Sequence, residues 1–169
     1  MKAVVVYESL WGNTAAVARA IAEGLGPGAK ALSTAKATGE ALEGADLLVA
    51  GAPVFAFHLS SDKTRESIRE NPGKGAPTPD LSHPSIRSWL DALSAGHGRS
   101  AAFDTQVRGP FGKGAPTIVE ALEGKGYARL AEPAGFVVKG KQGPLRDGEL
   151  ERAREWGVEL ARLMSGERA

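Results

Sequence analysis

The chain of 169 residues is long enough for one domain with a sizeable core, and 42% of its residues are hydrophobic. Its 21 Lys and Arg against 20 Asp and Glu leave a formal charge of +1, which gives no electrostatic case for nucleic acid or an anionic membrane as the main partner. The lack of cysteine excludes disulfides, thiol nucleophiles and thiolate metal sites. No signal-peptide pattern opens the chain, and no run approaches the ~20 apolar residues of a membrane span, so a cytoplasmic, soluble, single-domain protein is expected.

Short apolar runs alternate with segments of helical period. Ala3 to Tyr7 reads as a strand buried on both faces. Thr14 to Leu25 reads as a helix with Val17, Ile21 and Leu25 on one stripe, ended by Gly26-Pro27-Gly28. Lys30 to Ser33 predicts a short second strand, Thr38 to Leu42 a brief helix, and Ala45 to Gly51 another buried strand. Ser85 to Leu93 carries Ile86, Trp89, Leu90 and Leu93 at helical spacing. Arg99 to Phe103 is a fourth strand. Ala115 to Lys125 is a helix with Pro116 in its first turn, and Gly135 to Val138 is a fifth strand. Asp147 is expected to cap the last helix, whose core face is Leu150, Ala153, Trp156, Leu160 and Leu163. Gly157 weakens that helix slightly relative to Ala.

Between Phe57 and Pro84 the rhythm breaks. Pro72, Pro77, Pro79 and Pro84 with Gly73 and Gly75 predict a long, largely irregular insertion, with one or two helical turns over Thr64 to Glu70. The rest of the pattern implies an α/β fold: a three-layer, doubly wound, five-stranded parallel sheet. Such sheets bind ligands beyond the C-terminal ends of their strands, so the segments after Tyr7, Gly51 and Phe103 are the candidate site.

The first of these segments is Ser9-Leu10-Trp11-Gly12-Asn13-Thr14, where a strand hands over to a helix. A helix N-terminus offers unpaired N–H groups and partial positive charge to a phosphate. Gly12 lets the backbone approach an anion, and Ser9, Thr14 and Asn13 add side-chain donors. No Lys or Arg lies inside the loop, which favours a phosphate that stays bound over one being transferred. Neither G-x-x-x-x-G-K-[ST] nor G-x-G-x-x-G stands at this turn. Simple N-capping explains the same residues without a ligand.

"YESLWGNTAAVARAIAEGL" resembles the FMN-phosphate loop of the flavodoxin-like family. "GADLLVAGAPVF" and "AAFDTQVRGPFGKGAP" resemble, by position, the strands and loops that flank the flavin on either side. The resemblance covers nearly the whole chain and implies FMN as cofactor. Residues Ser9 to Thr14 would hold its phosphate. Ala52, Pro53, Val54 and Phe55 would lie along one edge of the ring, and Asp104, Thr105, Gln106 and Gly109 would meet its pyrimidine edge, largely through backbone N–H groups. The implied function is redox: electrons pass from a reduced donor to a partner protein or a small acceptor such as a quinone, as carrier or as an NAD(P)H or quinone reductase. The chain would act as monomer or homodimer. The alternative is the same fold kept as a ligand-binding or interaction module with weak or no flavin binding.

Two departures from the family stand out. The third segment has no Tyr to stack on the ring, which leaves Phe55, Phe57, Phe111 and Trp11 as aromatic candidates. The charge is near neutral where electron-carrier flavodoxins are acidic, and Arg108 and Lys113 sit in the third segment. The three histidines, His58, His83 and His97, lack metal-ligand spacing. His58 reads as a solvated loop residue or as one that approaches a substrate, and His97 as a helix-end residue. Asp104 reads equally as an acid/base group or as a cap of the following turn.

Overall fold

The computed structural model describes residues 1–55, 58–108 and 113–166. The first strand, β1 (Ala3–Tyr7), leads into α1 (Asn13–Leu25). Then come β2 (Ala29–Ser33), α2 (Gly39–Leu42), β3 (Leu47–Phe55), β4 (His58–Leu59) and α3 (Asp62–Glu70). The chain continues with α4 (Ile86–Ala92), β5 (Arg99–Val107), α5 (Ala115–Gly124), β6 (Ala128–Arg129), β7 (Ala134–Val138) and α6 (Glu149–Met164).

The strands are ordered β2-β1-β3-β5, all parallel, and the far edge of β5 is shared by β6 and β7. Five long parallel strands are therefore joined by two of two residues each. Alternation along the strands divides the core in two. Val4, Val6, Leu48, Ala50 and Ala102 pack under α2, α4 and α5. Ala3, Val5, Leu47, Val49, Ala101 and Phe103 pack under α1 and α6. The result is the expected doubly wound α/β sandwich.

Several boundaries differ from expectation for physical reasons. β3 runs on to Phe55 and β5 to Val107: the two strands pair with each other as far as Pro53 and Thr105, and beyond that β4 pairs with Val54 and Phe55 and β7 with Gln106 and Val107. The last helix is capped by Gly148 in the left-handed region (φ 85°), not by Asp147, whose side chain is fully exposed. Leu150 is 46% exposed, outside the core it was expected to join. Gly157 is a contact point: a Cβ there would lie 2.2 Å from the Ile21 carbonyl oxygen, so its absence lets α6 press onto α1. α4 ends at Ala92, which leaves His97 beyond it on an exposed connection.

The Pro-rich insertion is more ordered than its composition implies. β4 pairs antiparallel with the end of β3, Val54 opposite Leu59 and Phe55 opposite His58. Ser61 caps α3 by accepting from the Thr64 N–H at 3.1 Å, and this helix starts two residues before the expected turns. Residues 71–84 have no helix or strand and return the chain to the end of β1.

Candidate functional site

At the end of β1 the chain turns through Glu8 to Gly12 and enters α1. Gly12 has φ +93°, a conformation that costs an L side chain about 1–2 kcal/mol. The Ser9 hydroxyl faces into the turn, where its Oγ accepts from the N–H of Gly12 at 3.1 Å and of Ala15 at 3.2 Å. With that turn closed from inside, the N–H groups of Leu10, Trp11, Asn13 and Thr14 make no hydrogen bond among the described residues. They form a cradle of free donors at a helix N-terminus.

The side chains of the cradle are tied elsewhere. The Thr14 hydroxyl meets that of Thr105 at 2.8 Å, joining the start of α1 to β5. The Asn13 amide donates to the Gln142 carbonyl at 3.0 Å, and the Trp11 indole donates to the Pro77 carbonyl at 3.1 Å. Trp11 also meets Phe55 edge-on, with ring centroids 6.3 Å apart.

Two cavities open beside the cradle. A small one of about 30 Å³ is lined by the cradle, Pro53, Val54, Phe55, Thr105, Val138 and Lys141. It shares Val54, Phe55, Val107 and Lys141 with a larger one of about 740 Å³ that reaches α3, lined also by Lys63, Ile68 and Gln106. A still larger cavity of about 830 Å³ lies between α2 and α4 against Trp89 and Tyr127, away from the cradle. The cradle has the free donors, so the candidate site is taken to be there.

Placement of the expected residues is uneven. Ser9 to Thr14 gather at the cradle, and Pro53, Val54 and Phe55 line the adjoining cavity. Ala52 is fully buried in the core under α4 and α5, so its side chain does not face the cavity. The third segment needs correction. Asp104 and Thr105 are not loop residues: they are strand residues paired with β3 on one side and β7 on the other. The Asp104 carboxylate is 1% exposed and accepts from the N–H groups of Gly114 and Ala115 at 2.8 and 2.9 Å and from the Gln106 amide at 3.0 Å. Burial pushes its pKa up, against the pull of those hydrogen bonds and of Lys113. Of its two expected roles, the structure assigns Asp104 the capping one, at the start of α5. Gly109, Phe57 and Phe111 lie outside the described residues. His58 is exposed.

Three contributors were missed by sequence reasoning. Lys141, from the turn after β7, lines both cavities and sits with its Nζ 6.0 Å from the Trp11 ring centroid. Glu8 is wholly buried; it accepts from the Ser60 hydroxyl at 2.5 Å, the Ile86 N–H at 2.8 Å and Arg65 Nε at 3.3 Å. His83 is 5% exposed, and its Nε2 accepts from the Ser9 N–H at 3.0 Å. Burial first, then the Arg65 guanidinium, push its pKa below the usual imidazole range, while Asp80 and Glu8 pull the other way. Only the polar character of Glu8 directly after an apolar strand hinted at any of the three.

Comparison with solved structures places this architecture. The chain superposes on a flavodoxin from the domain Archaea with a TM-score of 0.68 at 20% identity, covering 98% of this chain and 99% of that one. The fold is that of the flavodoxins. A cysteine-to-serine mutant of the flavodoxin from Pseudomonas aeruginosa matches at TM-score 0.67 and 18% identity over 98% of this chain and 100% of that one. Rubredoxin oxygen:oxidoreductase from Desulfovibrio gigas matches at TM-score 0.59 and 19% identity, where the chain spans only 36% of the longer protein. No family model and no curated protein matches the chain. In the flavodoxin-like fold seen here, the cradle stands at the C-terminal end of β1, which lies between β2 and β3, where a doubly wound sheet opens. Among the described residues, no helix is long and apolar enough to cross a membrane.

Proposed function

We propose that the chain binds flavin mononucleotide and works as a redox protein, with the phosphate of the cofactor on the Ser9–Thr14 cradle. The observation that carries this reading is the set of N–H groups at Leu10, Trp11, Asn13 and Thr14 that have no partner among the described residues, at the positive end of α1. The donor set fits a phosphate dianion, and Lys141 adds a positive charge beside it. The adjoining 740 Å³ cavity, with Val54, Phe55 and Val107 as apolar lining and Gln106 as a polar group, fits a flat heteroaromatic ring. When bound, the flavin supplies the electron-transfer chemistry. The residues of the chain bind it, orient it and screen it from water. Residues 1–169 then act as one flavodoxin-like unit, with a partner protein or a small acceptor taking the electrons.

The test is the absorption spectrum of the purified protein before and after addition of FMN and desalting. Retained flavin bands are expected. A protein that takes up no FMN at any concentration tried would overturn the reading. A second reading, a ligand-binding module with weak flavin affinity, draws on the smallness of the cradle cavity: 30 Å³ holds about two waters. Its mark would be FMN that binds in solution and washes off. Stopped-flow mixing with NADH or NADPH then separates a reductase, whose flavin is reduced directly, from a carrier.

A further inference from the structure

The insertion returns to the cradle from outside, and three of its groups hold it. The Pro77 carbonyl accepts from the Trp11 indole, the Asp80 N–H donates to the Leu10 carbonyl at 2.8 Å, and His83 Nε2 accepts from the Ser9 N–H. The last contact differs in kind, because its acceptor is titratable. An Nε2 that accepts carries no proton, so the neutral ring has its proton on Nδ1, which faces Asp80 Oδ1 at 3.7 Å. We propose that His83 is the positioning residue of the cradle: its neutral imidazole holds the Ser9 N–H and so shapes the free donors of residues 10–14, and its protonation withdraws that hold, making anion binding proton-linked.

The physical basis is local. A protonated ring has an N–H at both nitrogens, so Nε2–H would point at Ser9 N–H, donor against donor, in a buried place. The charged and titratable groups around the ring come from each element packed against it. Arg65 of α3 donates from Nη1 to the His83 carbonyl at 2.7 Å and opposes a second cation. Asp80, on the same returning segment, and Glu8, at the end of β1, favour one. Burial and Arg65 prevail, so the ring stays neutral into the lower part of the ordinary imidazole range, and the release lies on its acid side. The sign follows: support is complete above the unfolded-state value and is lost as pH falls through the folded-state value.

This inference rests on the FMN reading for its ligand, but the clamp can be read without one. FMN affinity is measured from pH 7.5 down to the onset of acid unfolding for the wild type and for His83→Gln, which keeps an acceptor and cannot take up a proton. The second ionisation of the phosphate, near pH 6, weakens binding in both proteins alike. The wild type is expected to lose affinity more steeply than His83→Gln, by up to about tenfold per pH unit below the folded-state value. Parallel curves would overturn the proposal. So would a wild type that binds more tightly on acidification, since the imidazolium would then be acting as a counter-ion. Amide exchange of Ser9 followed by NMR without ligand gives the independent measurement. Its protection is expected to fall together with the titration of the His83 ring signals, and protection that ignores that titration would sink the clamp. Should FMN not bind at all, the cofactor reading fails while the Ser9 exchange still decides the role of His83.

Discussion

The two sides of the candidate site use their polar groups in opposite ways. On the β1 side, residues 9–14 leave four backbone donors without a partner among the described residues and commit the side chains of Ser9, Trp11, Asn13 and Thr14 to holding the turn in shape. On the β5 side, Asp104 and Thr105 keep nothing in reserve: their side chains brace α5 and α1, and both are paired into the sheet. One side leaves backbone donors open and the other spends its polar groups on the scaffold.

The sharpest way to break this comparison is to remove what holds the cradle. Glu8→Ala deletes the counter-charge of Arg65, whose Nη2 already has no partner among the described residues. A buried pair broken on one side loses about 3–5 kcal/mol, so a large fall in the urea midpoint is expected, with loss of FMN uptake before unfolding. Normal uptake in this variant would mean that the cradle stands without its support.

A smaller effect belongs to the scaffold side. Glu149 is 3% exposed at the side chain, accepts from the Val137 N–H at 2.7 Å and is paired by Arg152 and Arg146. The Arg152 hydrogen bond, first, and the Val137 amide lower its pKa to about 2. A lowered carboxylate stabilises above its unfolded value, and that contribution is lost as pH falls through the folded one. Between pH 4.5 and 2 the wild type should therefore lose roughly 3 kcal/mol more than Glu149→Gln. Equal acid sensitivity of the two, in denaturant titrations at each pH, would remove Glu149 from the scaffold.

The smallest effect sharpens the comparison most directly. Asp104→Ala strips the N–H groups of Gly114 and Ala115 of their acceptor and is expected to cost about 1–3 kcal/mol of stability. A protein of unchanged stability that loses FMN affinity would return this carboxylate to the ligand.

Much of the fold was legible because apolar runs of period near 2 and 3.6 leave little choice of element. Ala3–Tyr7 was read to the residue, and α1 and α5 to within one residue at either end. Where the reading stopped short, Gly51 and Pro53 in one run and polar residues in the other interrupted it. Pro53, Asp104 and Thr105 read as loop, and only pairing between β3 and β5 makes them strand. The two-residue strands β4 and β6 had no signal, since two residues show no period.

The sequence by itself determined the alternation of strands and helices, and with it the doubly wound sheet and the place of the Ser9–Thr14 turn at a helix start. Those are properties of neighbouring residues, written in local spacing. Tertiary structure alone decided which polar groups are free and which are occupied. Ser9 meets His83 across 74 residues, and Asn13 meets Gln142 across 129. Thr14 meets Thr105 across 91. Hydrogen bonding of a buried group depends on what folding brings within about 3 Å of it, and no spacing along the chain encodes that.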